Sequence, residues 1–163
     1  FITRTPPVSD DMHCGLVVAG DSEAHRELLR EAAENAASTG AQLVLLNLLD
    51  ESEYEHDIET LEEFASEEGV SYSKDTVIEG EADDVRELTA EVVDDLDVEY
   101  EVRVDVIEEG ERADAVVKVG AEEDCDHAYI HGRHRSPTGK AIFGDFAQHV
   151  ILNYDGFVTV TTE

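Results

Sequence analysis

Two apolar runs, Leu16-Val17-Val18-Ala19 and Ala128-Tyr129-Ile130, with a strand-like stretch at 43–49, constrain this chain more than any other feature. A strand apolar along its length has no face to offer water, so it must lie inside a sheet covered on both sides. Between these runs the hydrophobic period changes from two to 3.6. Ala24, Leu28, Leu29, Ala32, Ala33, Ala36 and Ala37 share one helical face, with Asp21 or Ser22 placed to cap it and Gly40 to end it. Ala82, Val85, Leu88, Val92, Val93 and Leu96 predict a helix over 81–96, and Ala113, Val116, Val117, Gly120 and Ala121 another over 112–124. Strands and helices alternating at this spacing predict one α/β domain built on a parallel sheet.

The remaining segments refine that picture. Val98, Tyr100, Val102, Val104 and Val106 alternate strictly with polar residues, as suits a strand at the sheet edge with one face in water. Residues 51–78 are less regular. Ile58, Leu61, Phe64 and Ala65 suit a short amphipathic helix after Asp57, and 72–78 reads as extended. A helix over 144–152 and a strand over 157–162 follow, joined by the turn Asn153-Tyr154-Asp155-Gly156. Residues 1–11, with Pro6-Pro7, read as a poorly ordered lead-in to a single domain over 12–163.

Forty-one Asp and Glu against eleven Lys and Arg give a formal net charge of -30 in 163 residues. Such a surface argues against nucleic-acid and anionic-membrane binding, which need positive charge. Continuous periodicity and 41% hydrophobic content argue against disorder. The balance fits a cytoplasm of very high salt. At ~1 M salt the Debye length is about 3 Å, so dense carboxylates repel one another far less. Lysine is scarce, at Lys74, Lys118 and Lys140 only, in keeping with that setting. Cys14 and Cys125 form no close-spaced motif and are expected as reduced, partly buried thiols. No apolar run approaches a membrane span and no signal-peptide pattern opens the chain, so a soluble, cytoplasmic protein is expected.

Against this acidic background, Arg133, Arg135 and Lys140 crowd into one segment, His131-Gly132-Arg133-His134-Arg135-Ser136-Pro137-Thr138-Gly139-Lys140, between a strand and a helix start at Gly144-Asp145. A strand feeding a glycine-bearing loop and then a helix N-terminus suits anion capture, because free backbone N–H groups point at the ligand. The arginines equally suit pairing with neighbouring carboxylates, and Asp145 suits a helix N-cap. Open parallel sheets bind ligands beyond the carboxyl ends of their strands, where the winding reverses. If the first strand and the strand before this loop are neighbours, Gly20-Asp21-Ser22 and the stretch from Gly132 to Gly144 face each other across a crevice. A phosphate-loop reading of Gly139-Lys140 fails on spacing, since Ala141 stands where Ser or Thr would meet magnesium. A zinc reading of Cys125, His127 and His131 lacks a closed-site spacing, and no metal is expected.

With these elements in this order, the chain resembles the universal stress protein family from Met12 to Thr162. The resemblance implies an open five-stranded parallel sheet in the order 3-2-1-4-5, helices on both faces, and a homodimer through the last strand, here Phe157 to Thr162. Nucleotide-binding relatives carry Gly, two residues, Gly, nine residues, Gly, then Ser or Thr. Gly132 matches the first glycine; Arg135 stands at the second, the next spacer has eight residues, and Asp145 follows Gly144. The first-strand turn is Gly20-Asp21-Ser22 rather than Asp-Gly-Ser, which displaces the aspartate that meets adenosine in relatives. The resemblance therefore implies a non-catalytic stress-response or regulatory protein. In one form it binds ATP, AMP or another phosphate ligand through Gly20, Asp21, Ser22, Gly132, Arg133, Arg135, Gly144 and Asp145. In the other it acts through its surface alone. A slow ATPase or other nucleotide-transforming enzyme is the alternative, and no base or metal ligand for it stands out in the sequence.

Overall fold

The computed structural model describes residues 13–68, 74–132 and 144–162. Five strands form one parallel sheet in the order β3-β2-β1-β4-β5. They are β1 (Cys14–Val18), β2 (Gln42–Asp50), β3 (Glu99–Ile107), β4 (His127–His131) and β5 (Phe157–Thr161). Leu16 pairs with both Val44 and Ala128, so β1 and β4 are the adjacent central pair that the crevice argument requires. Winding reverses between them.

Side-chain alternation divides the core. Even-numbered Leu16, Val18, Val44, Leu46, Ala128 and Ile130 point to one side. There they meet α4 (Arg112–Glu122) and α5 (Gly144–Asn153) through Val116, Val119, Ala147 and Val150. Odd-numbered Val17, Leu43, Leu45 and Tyr129 point to the other side, under α1 (Glu23–Thr39) and α3 (Lys74–Val92). Burial of β1 is complete on both faces, as its uninterrupted apolar run demands. At the edge, Val98, Tyr100 and Val102 lean on the second cluster while Glu99 and Glu101 face water.

Two expectations are corrected here. Residues 74–78, taken as extended, are the first turns of α3, and α2 (Glu51–Glu68) begins well before Asp57. Val77, Ala82 and Val85 are buried in one continuous helix, with Gly80 tolerated inside it. A short apolar pair gains more from a helical stripe packed on the sheet than from extension. Tyr72 and the lead-in 1–11 lie outside the described residues.

The cysteines are the second correction. Cys14 and Cys125 form a disulfide, with Cα atoms 4.5 Å apart. They lie 111 residues apart in sequence, but each sits where its strand begins, β1 or β4, and those strands are neighbours. Pairing in space, invisible in spacing, overrode the expectation of two thiols. The same end of the sheet is tied further: Tyr154 Oη donates to the Cys125 carbonyl at 2.7 Å, and Phe157 N to that of Asp126 at 2.9 Å. Gly156 is obligatory there, since its φ is +140° and a Cβ would lie 2.3 Å from the Asp126 carbonyl oxygen.

Candidate ligand crevice at the carboxyl ends of the central strands

At the opposite end, β1 gives way to Ala19-Gly20-Asp21 and then α1. Ser22 caps that helix: its Oγ accepts from His25 N at 3.2 Å. Asp21, the other capping candidate, is exposed. The His25 ring folds back over Gly20, where a Cβ would come within 2.5 Å of it, and its Nδ1 lies 2.6 Å from Ser22 Oγ. Gly20 therefore leaves room for the histidine ring while also lining the crevice.

From β4, His131 brings its ring centroid to 5.0 Å from that of His25, with the planes inclined at 53°. Burial, then the field of His131, holds His25 below the usual histidine range; Asp21 opposes this and Arg112 adds to it. His131 Nδ1 is buried and has no hydrogen-bond partner among the described residues. Arg112, at the start of α4, lies over the Phe146 ring in the first turn of α5, 5.7 Å from its centroid. Arg26, Arg30, Arg86 and Arg103 all lie within ion-pair distance of carboxylates, whereas Arg112 makes no ion pair among the described residues.

On the β2 side the crevice is acidic. A cavity of about 440 Å³ is lined by Gly20, Asp21, Asn47, Glu53, Glu81 and Asp84, with Val85 and Leu88 as its apolar wall. Asn47 Nδ2 donates to Glu81 Oε2 at 3.0 Å. Carboxylates here can accept from hydroxyl or amino groups and will repel phosphate. The crevice is thus polarised, with anions at one end and imidazoles and a guanidinium at the other.

Of the residues singled out in the sequence, Gly20, Asp21 and Ser22 reach the crevice mouth as expected. Gly132 reaches it too, but its N–H is already donated to the Thr161 carbonyl at 2.7 Å, so it has no free donor for a ligand. Gly144 begins α5 with φ of +82°, and Asp145 lies exposed in the first turn rather than at the N-cap. A carboxylate there still complements the helix dipole. Arg133 and Arg135 lie outside the described residues. Among the described residues no group of three or more His, Cys, Asp or Glu is arranged to hold a metal, and Cys125 is engaged in the disulfide.

Sequence reasoning missed His25, Arg112 and the acidic wall. His25 falls in the first turn of α1 and carries no motif of its own. Only its position three residues after the cap hints that it can fold back on the turn.

A doubly wound sheet in this order, with a crevice at the point of reversal, defines the open α/β class that takes ligands at strand carboxyl ends. The chain belongs to the universal stress protein family, whose model matches residues 13–161. Among solved structures it is similar to a universal stress protein from Archaeoglobus fulgidus, at 25% identity and TM-score 0.63, covering 91% of this chain and 97% of that one. It also resembles an A. fulgidus universal stress protein in complex with dAMP, at 19% identity and TM-score 0.59, over 91% and 96% of the two chains. A universal stress protein in complex with cAMP aligns at 13% identity and TM-score 0.59, over 94% and 98%. No curated protein matches the chain. No helix among the described residues is long and apolar enough to cross a membrane.

Proposed function

We propose that this protein is a non-catalytic regulatory member of its family that binds an adenine nucleotide, ATP or AMP, in the crevice between β1 and β4. The polarised cavity carries this reading. Its carboxylates suit ribose hydroxyls and an exocyclic amine, and the imidazoles and guanidinium beyond it, toward β4 and the start of α4, suit phosphate. The dAMP and cAMP complexes of structurally similar proteins support the same ligand class. Protein purified in molar KCl and then denatured should release adenine nucleotide identifiable by mass spectrometry. Empty protein that also gives no calorimetric signal with ATP or AMP would remove the reading and leave a surface-acting protein.

The working unit in this proposal is a homodimer joined through β5. That strand is a sheet edge, Phe157 on it is 66% exposed, and Ile151 and Leu152 of α5 are exposed nearby. Light scattering in high salt should give twice the chain mass; a monomer throughout the micromolar range contradicts it. The setting is the cytoplasm of a cell with molar salt, supported by the net charge of -30.

A further inference from the structure

At the end of the crevice assigned to phosphate, the described residues offer few of the backbone donors that small-residue loops provide. Gly132 has spent its N–H on Thr161, and an acidic residue stands in the first turn of α5. What the structure offers instead is side-chain nitrogen. His131 Nδ1 is buried without a partner, and His25, engaged with Ser22 through Nδ1, has no partner for Nε2 among the described residues. In a chain with 41 acidic residues, the Arg112 guanidinium still finds no carboxylate among those described. Among the described residues, these three nitrogen groups near the carboxyl end of β4 have no anionic partner of their own.

We propose that the imidazoles of His25 and His131, backed by the Arg112 guanidinium, form the phosphate wall of this crevice, and that phosphate binds there with uptake of a proton. This rests on the nucleotide reading above. The proton comes from solvent and goes to the imidazole pair, so no other reactant is needed. The surroundings of His25 are set against its protonation. Burial and the neighbouring His131 on β4 and Arg112 on α4 disfavour it, while Asp21 before α1 pulls the other way. The apolar wall of α3 (Val85 and Leu88) removes water from the ring. The carboxylates of α2 and α3, Glu53, Glu81 and Asp84, line the other part of the crevice, and Asp145 of α5 is exposed to solvent. A dianion placed against the imidazoles reverses the balance and favours the charged ring. Nucleotide affinity then rises as pH falls toward neutrality from above.

The test compares AMP with adenosine, which lacks phosphate, by calorimetry at pH 7.5 in molar KCl, using buffers of different ionisation enthalpy. A phosphomonoester is already dianionic there, its second pKa being about 6, so any proton taken up belongs to the protein. The parent should bind AMP at least about tenfold more tightly than adenosine, and with proton uptake. His25→Asn, His131→Asn and the pair together should close that gap and abolish the uptake. His25→Gln is a second variant, and thermal melts confirm that each folds. AMP and adenosine bound equally by the parent, or an AMP advantage and proton uptake surviving in the double variant, would overturn the wall while leaving the nucleotide reading intact. If neither nucleoside nor nucleotide binds, but pyrophosphate does so with uptake that the variants lose, the wall stands and the nucleotide reading fails. Absence of binding by all three probes overturns both.

Discussion

The two ends of the central strand pair are built on opposite plans. Where β1 and β4 begin, Cys14 is bonded to Cys125, the Cys125 carbonyl accepts from Tyr154, and Asp126 accepts from both Cys14 N and Phe157 N. Where the same strands end, His131 Nδ1 has no partner and Arg112 has no ion pair among the described residues. Unsatisfied buried polar groups cost stability, commonly about 1–3 kcal/mol each, and are tolerated where something else will satisfy them. The closed end holds the strands in register. The open end is where the fold leaves room for a ligand.

If that division is real, changes at the closed end should alter stability and spare binding. The largest effect should come from reducing the disulfide or from Cys14→Ser, at about 2–5 kcal/mol lost in denaturant unfolding. Nucleotide affinity of the protein that remains folded should be unchanged. Tyr154→Phe should follow, at about 1–3 kcal/mol, because it leaves the buried Cys125 carbonyl without its donor. Either variant losing affinity before stability would break the division.

The pH response is the next in size and comes from both ends. Burial holds His25 and His127 below the usual histidine range, with His131 and Arg112 adding to the effect at His25. The unfolded chain therefore binds these protons first. The stability concerned is complete above about pH 6.5 and is lost as pH falls from there through the folded-state values. Thermal melts between pH 8 and 5 at fixed molar KCl should show this decline, and His25→Asn should flatten part of it. A parent more stable at pH 5.5 than at pH 7.5 would contradict the burial of these rings.

Asp145→Ser should have the smallest effect, and only at the open end. Its side chain is exposed, so stability should change by no more than about 0.5 kcal/mol. ATP should bind roughly threefold more tightly, the part of the repulsion that molar salt leaves unscreened. Calorimetry on parent and variant in one buffer checks it; unchanged affinity would place Asp145 outside the reach of the phosphates.

The sheet was legible because burial leaves a one-dimensional trace. A strand covered on both faces is apolar throughout, as β1 is, and an edge strand alternates, as the first half of β3 does. Strand β4 falls on 127–131 as its pattern predicts. The site was legible only as far as it follows chain order, in the turn Gly20-Asp21-Ser22 and the loop beginning at Gly132. The approach of His25 to His131 spans 106 positions and that of Cys14 to Cys125 spans 111. No local period records such meetings; they follow from β1 and β4 being neighbours. Likewise the acidic wall gathers Glu53, Glu81 and Asp84 from two helices, a meeting that no local period records. The hydrogen bond from Gly132 N–H to Thr161, 29 positions later, is equally invisible to local reading.

Hydrogen–deuterium exchange with and without ATP, in molar KCl, tests the central claim most directly. Ligand in the crevice should slow exchange around Gly20 to His25, at the start of α4 near Arg112, and in the first turn of α5. It should leave Cys14, Cys125 and the turn at Gly156 unchanged. Protection confined to the closed end, or none anywhere at saturating ATP, would contradict the assignment of the open end as the ligand site.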